Sequence, residues 1–354
     1  MATSKTFLDQ LSIKHPIIQA PMAGVSTPAL AAAVSNAGGL GSIALGASTV
    51  DAAKSLIQQT RTLTDKPFNV NFFCHKPATP DLLKEESWLK TLSPFFEEYS
   101  TEAPLSLKEI YLSFSEHDAM IQMLLKERPA IVSFHFGIPP QATIKALETA
   151  GIYTIASATN LHEAQQVEKA GINAVVAQGW EAGGHRGCFD PDITDERLNT
   201  FDLVRLLSGQ LTIPVIAAGG LMNGTDITAA LDEGAVAAQL GTAFITCPEN
   251  KIDPHYQAAL LAAEETIMTR AISGRPARSI RNRFTDFGIN VPNNNIPDYP
   301  IAYDAGKALH AAAKNKGEHG FGAQWAGSQV KRIRPMPADA LMETLLKEML
   351  SHTG

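Results

Sequence analysis

The 354-residue sequence predicts an α/β protein: a (β/α)8 TIM barrel of parallel strands, with a small helical cap subdomain inserted after strand eight. Three observations carry that prediction. Eight short apolar runs recur along the chain, most are followed by a helix-period stretch, and glycines cluster directly behind several of them. Strands buried on both faces read as near-continuous apolar segments. Their alternation with helices makes a parallel sheet.

The first run is His15-Pro16-Ile17-Ile18-Gln19-Ala20-Pro21-Met22. Thr27 then caps a helix with Pro28 at its first position, where the missing N–H would have had no partner, and Gly38-Gly39 stops it. Seven further runs span 40–46, 68–75, 131–137, 153–158, 174–179, 214–220 and 235–242. Helices are predicted over 50–63, 141–150, 161–170, 201–208 and 225–233. The main competitor is an open doubly wound sheet, which asks for a GxGxxG turn behind its first strand. Here Met22 is followed by Ala23-Gly24-Val25-Ser26-Thr27-Pro28 instead.

Two stretches break the repeat. Residues 76–129 make an enlarged crossover with two helical patterns, and beyond Thr242 no further strong buried strand is predicted. A helix-rich segment at 257–273 and a Pro/Asn-rich loop at 291–300 are assigned to the cap, residues 247–313. The barrel takes 1–246 and 314–354, with the helix at 338–350 closing it as the eighth outer helix.

Composition narrows the function. A net charge of −7 argues against nucleic acid, which needs a clustered basic face. The short stretch Lys331-Arg332-Ile333-Arg334 reads as a solvated surface or a helix approach. No apolar run is long enough to span a membrane, and residues 1–10 lack a signal-peptide core. Cys74, Cys188 and Cys247 lie far apart, without the spacing of a zinc site or a disulfide framework. A cytoplasmic enzyme fits, and a homodimer is compatible with the chain.

Barrel enzymes place their chemistry behind the strand C-termini. Strands seven and eight end Ala217-Ala218-Gly219-Gly220 and Gln239-Leu240-Gly241-Thr242, glycines that let backbone approach a ligand. With the helix N-terminus at 225 they predict a phosphate site. Tight turns alone are the plainer alternative. The sixth strand end, Gln178-Gly179-Trp180-Glu181-Ala182-Gly183-Gly184-His185-Arg186-Gly187, can lie flat against a planar ligand. His185 lies inside that loop with little local packing, and an imidazole titrating near neutrality could take a proton or orient an anion. Arg186 could attract an anion or sit at the surface. Asn71 and Gln178 either meet a flavin's pyrimidine edge or tie strand ends together. His75 and His135 are read as pocket walls. Without HxH or HExxH spacing, no metal is expected.

Several motifs, taken in order, resemble those of the class I nitronate monooxygenases, formerly 2-nitropropane dioxygenases. They are Gln19 to Gly24 with Thr27-Pro28, Ser35 to Gly41, Asn71 to His75, Ser133 to Gly137, Glu181 to Gly187, and the ends of strands seven and eight. The resemblance implies non-covalent FMN, contacted by Met22, Ala23, Asn71, Gln178, Gly183, Gly220, Gln239, Leu240, Gly241 and Thr242. It places His185 at the catalytic histidine and Trp325-Ala326-Gly327 near the pocket. The implied reaction is oxidation of an anionic alkyl nitronate by O2 to a carbonyl compound and nitrite, without nicotinamide. Propionate 3-nitronate is the implied substrate class. Two rival readings remain at this stage: an NAD(P)H-dependent reductase on the same barrel (quinone or enoyl-acyl-carrier-protein reductase), and a flavin-binding protein without turnover.

Overall fold

The computed structural model describes residues 4–351. Eight parallel strands appear where the apolar runs predict them: β1 (Ile17–Gln19), β2 (Gly41–Ala44), β3 (Phe68–Phe73), β4 (Ile131–His135), β5 (Tyr153–Ala158), β6 (Ala174–Gln178), β7 (Val215–Ala218) and β8 (Ala237–Leu240). Neighbours pair in the order β1-β8-β7-β6-β5-β4-β3-β2. A parallel bridge between Ile18 and Leu40 joins β1 to the start of β2 and closes the barrel.

Alternation along the strands sorts side chains into two shells. Ile18, Ile155, Val176 and Ile216 point inward and pack with Phe7 and Leu11 of the first helix (Ser4–Leu11), which plugs the barrel floor. Burying Phe7 alone contributes about 2 kcal/mol. Val70, Phe72, Val132, Phe134, Val175, Ala177, Val215 and Leu240 point outward beneath the helices. Nearer the C-terminal mouth the inward positions turn polar: Ser42, Asn69 and Ser133 are joined by Asn69 Nδ2 at 3.2 and 2.9 Å.

The outer helices follow the sequence reading. Thr27 Oγ1 accepts from the Leu30 N–H (3.1 Å) to cap Pro28–Asn36, and the helices Val50–Leu63, Gln141–Thr149, Leu161–Lys169, Thr200–Gln210 and Gly224–Asp232 follow. The last helix, Ala338–Ser351, packs between Gly224–Asp232 and Pro28–Asn36, in the eighth outer position.

The region beyond β8 differs from the helix-rich form expected of it. Pro254–Ala262 is helical, but Thr266–Thr269 and Ala277–Ile280 form an antiparallel hairpin, whose second strand also pairs with Gly184–His185. The β-branched residues of Thr266-Ile267-Met268-Thr269 favour strand over helix. A second apolar core gathers Trp88, Leu92 and Phe96 of the helix Leu82–Glu98 with Phe284, Leu309 and Phe321. It therefore draws on the 76–129 crossover as well as the segment after β8. No helix of the described residues is long and apolar enough to cross a membrane.

Candidate active site

A cavity of about 900 Å³ opens at the strand C-termini, between the barrel mouth and the second core. Most predicted contact residues line it: Met22, Ala23, Asn71, Gln178, Gly183, Gly220, Gln239, Gly241 and Thr242, with His185. Leu240 does not. It follows the inward-facing Gln239, so strand alternation turns its side chain outward into the core under the helices.

The loop behind β6 is pinned from both sides. Gln178 Nε2 donates to the His185 carbonyl (3.1 Å), and its Oε1 accepts from the Gly187 N–H (2.7 Å). Both ends of this amide are thereby used in tying the loop. Arg186 is buried. Its guanidinium grips Asp195 through two bonds (2.7 and 3.1 Å) and also reaches the Gln178 and Gly179 carbonyls. Arg186 is thus a structural pin, neither an anion receptor nor a surface residue. Gly183 has no room for a side chain, since a Cβ would lie 2.4 Å from the backbone of Ala326 and Gly327.

His185 is correspondingly better held than its glycine neighbours suggest. It lies on the short strand Gly184–His185, its ring enclosed by Phe136, Tyr299, Tyr303 and Trp325 at centroid distances of 5.0 to 6.1 Å. Nε2 lies 2.8 Å from Ser273 Oγ, and Nδ1 has no protein partner among the described residues. Burial, then the neighbouring His135, Arg275 and His75, lower its pKa to about 3. The ring is therefore neutral at pH 7 and does not titrate near neutrality in the free protein. His135 is likewise lowered, to about 4, chiefly by burial. It bridges Ser157 Oγ (2.9 Å) and the His185 carbonyl (3.2 Å). His75 is buried behind the cavity wall, edge-on to Tyr299.

Arg275 accounts for part of this field. It is buried with no carboxylate partner among the described residues, donating to the Cys188 carbonyl, with its Cζ 4.4 Å above the Phe136 ring. Phe136 itself has φ of 73°, a left-handed conformation that costs a bulky residue about 1–3 kcal/mol. That backbone places its ring between Arg275 and His185.

The expected phosphate cradle is only partly as predicted. Gly219 and Gly220 turn with φ of 121° and 70°, and the 219–222 backbone faces the cavity together with Gly241 and Thr242. The helix N-terminus does not face it. The Gly224 N–H donates to Glu348 and the Met222 N–H to Asp226, each at 2.8 Å, so protein carboxylates already occupy that end. Arg332 and Arg334 pair with the same two acids, which absorbs the basic stretch.

Comparison with known proteins now adds to this geometry. The profile of the family described as nitronate monooxygenase matches residues 5–348. The chain belongs to the nitronate monooxygenase family. It is 57% identical to the nitronate monooxygenase of Paraburkholderia phytofirmans, covering 98% of this chain and 95% of that one. The solved nitroalkane oxidase of Streptomyces ansochromogenes superposes with a TM-score of 0.89 at 38% identity, covering 98% of each chain. FabK from Thermotoga maritima has a TM-score of 0.74 at 30% identity, covering 100% of this chain and 97% of that one.

Against this family background, the residues that sequence reasoning missed lie outside the strand–helix repeat. Tyr111, Tyr256, Tyr299, Tyr303 and Lys307 all line the cavity. Lys307 Nζ lies 5.0 and 5.1 Å from the ring centroids of Tyr111 and Tyr303 and makes no salt bridge among the described residues. A signal was present for two of them: Tyr303 and Lys307 stand four apart on the helix Ile301–Lys314, the spacing of one helix face. Ser273, beside His185, carries no such sequence signal.

Proposed function

We propose that this chain is an FMN-dependent nitronate monooxygenase acting on carboxylate-bearing alkyl nitronates such as propionate 3-nitronate. The observation that carries the reading is one juxtaposition. A neutral histidine with a free Nδ1 and an unpaired lysine line the same aromatic-walled cavity.

The residues present fit a flavin mononucleotide. The cavity has the volume of a cofactor site. Asn71 donates through Nδ2 to Ser133, leaving its carbonyl oxygen as an acceptor, and the Gln239 amide has no protein partner among the described residues. Met22 and Ala23 supply apolar wall, and Gly219 to Leu221 with Gly241 supply closely approachable backbone for the phosphate. A bound FMN supplies the electron acceptor and the chemistry toward O2.

The protein's own part follows from charge. Lys307, exposed and set over two phenol rings, receives the substrate carboxylate by ion pairing. Tyr299 and Tyr303 remain protonated because burial raises both phenols, so their hydroxyls can donate to an anion. His185 is neutral, and its pKa of about 3 makes it a weak base in the empty cavity. It therefore serves best by hydrogen bonding a nitronate that arrives already ionised. A proton taken from a neutral nitroalkane is stabilised only by the anion formed beside it. This ranks nitronates above nitroalkanes as substrates. The three cysteines are free and buried, consistent with a cytoplasmic setting.

The test is anaerobic mixing of the flavin-loaded protein with propionate 3-nitronate and, separately, with NADH, while flavin absorbance is followed. Loss of absorbance with the nitronate and none with NADH supports the proposal. Bleaching by NADH alone moves the chain to a reductase, and loading without response to either donor leaves a binding protein.

A further inference from the structure

Outside the residues that line the cavity, Asp253, His255 and His319 bring one ligand atom each within 4.8 Å of one another. Asp253 and His255 lie at the start of the helix Pro254–Ala262, and His319 lies in the turn after the helix Ile301–Lys314. We propose that these three side chains bind one divalent transition ion of the zinc, copper and nickel class.

Two imidazoles and a carboxylate form the borderline donor set that suits those ions, and they leave a fourth position to water. Asp253 is fixed in place, because its Oδ1 accepts the His255 N–H at 2.8 Å as the helix cap. The two histidine rings stack at 3.6 Å between centroids, 15° from parallel, so His319 is already drawn against His255. Ligation requires the exposed His255 ring to turn until the two in-plane lone pairs converge. A third imidazole, His310, interacts with His319 and Asp253 and holds a buried Nδ1 with no hydrogen-bond partner among the described residues.

The carboxylate is not idle. Lys314 Nζ lies 2.5 Å from Asp253 Oδ2, so an ammonium occupies the place that an ion would take. An exposed pair of this kind is weak, and Lys314 can swing into water. Ion and lysine compete for one carboxylate. The consequence reaches the cavity mouth, because the two segments joined carry Tyr256 on one side and Tyr303 and Lys307 on the other.

The experiment is calorimetric titration of tag-free, full-length, flavin-loaded protein with ZnCl2 in a non-chelating buffer. One equivalent of Zn2+ should bind and raise the melting temperature. His255→Ala and His319→Ala should each weaken binding about tenfold or more, and Lys314→Met should tighten it. His162→Ala, on an outer barrel helix, should change nothing. All three His variants should melt with the native protein when Zn2+ is absent, which separates lost ligation from lost folding. Absence of stoichiometric uptake by the native protein, or undiminished binding in either His255→Ala or His319→Ala, overturns the site.

Discussion

The floor and the roof of the cavity are built from different materials. The floor is barrel backbone: Gly219, Gly220 and Gly241 behind β7 and β8, with the amides of Asn71 and Gln239 between them. The roof is side chain: Tyr299, Tyr303, Trp325 and Lys307, contributed by segments outside the strand–helix repeat. A floor of backbone suits a ligand common to many barrels, since its contacts need few specific side chains. A roof of aromatic rings and one cation suits a ligand particular to this enzyme. Substitutions in the floor should therefore affect cofactor loading, and substitutions in the roof should affect the choice of substrate.

The largest effect is expected at His185, which lies between the two. His185→Asn should keep the flavin and lose most activity on neutral nitroalkanes, about a hundredfold or more. Anionic nitronates should suffer less, because an amide can still donate a hydrogen bond. Steady-state oxygen consumption on paired nitroalkane and nitronate substrates measures the split, and equal losses on both would remove proton abstraction from the role of His185. The counterpart for cofactor loading, on the loop behind β6, is Gly183→Ala. Its new Cβ meets backbone at 2.4 Å, overpacking that costs about 1–3 kcal/mol. The expected result is lowered flavin content after dialysis, with unaltered substrate preference in the molecules still loaded.

At Lys307 the roof can be tested for selectivity. Lys307→Met should raise KM for propionate 3-nitronate about tenfold, the scale of one lost charge-assisted contact. It should leave KM for an alkyl nitronate without a carboxylate nearly unchanged. Equal changes for the two substrates would mean that Lys307 acts on the shape of the mouth and not on the carboxylate.

The same division governs what could be read from the sequence. All eight strands and most of their outer helices were legible, because burial on both faces and a 3.6-residue period leave direct marks in the sequence; the helix Asp118–Glu127, inside the enlarged crossover, was not placed. Most of the floor was legible too, as glycine behind an apolar run. The misplacement of Leu240 was avoidable: alternation along β8 turns it outward as surely as it turns Gln239 inward. The burial of Arg186 was not legible, because it depends on its pairing with Asp195 across a loop, and Arg275, buried over Phe136, drew no notice in the sequence. The helix N-terminus behind β7 failed as a phosphate site for a similar reason. Glu348, far along the chain, reaches it first. His185 was found from its glycines, but its ionisation state comes first from burial and then from His135, Arg275 and His75 on other segments.

That neighbour effect sets the smallest prediction, at Ser273. Its hydroxyl lies 2.8 Å from His185 Nε2 and 3.4 Å from the Arg275 carbonyl, so it ties the imidazole to the backbone of the hairpin loop. Removing it frees one ring nitrogen and allows the imidazole to rotate, while Nδ1, burial and the surrounding cations stay as they are. Ser273→Ala should therefore lower kcat/KM for nitronates only a few fold, about 1 kcal/mol for one neutral hydrogen bond. Thr in its place should restore part of the loss. The pH profile distinguishes positioning from ionisation. With a pKa of about 3, His185 stays neutral from mildly acid to alkaline pH, so neither the native protein nor Ser273→Ala should show an inflection near the ordinary imidazole value. An inflection appearing only in the variant would mean that Ser273 helps to hold the ring neutral, and its role would then be electrostatic as well as geometric.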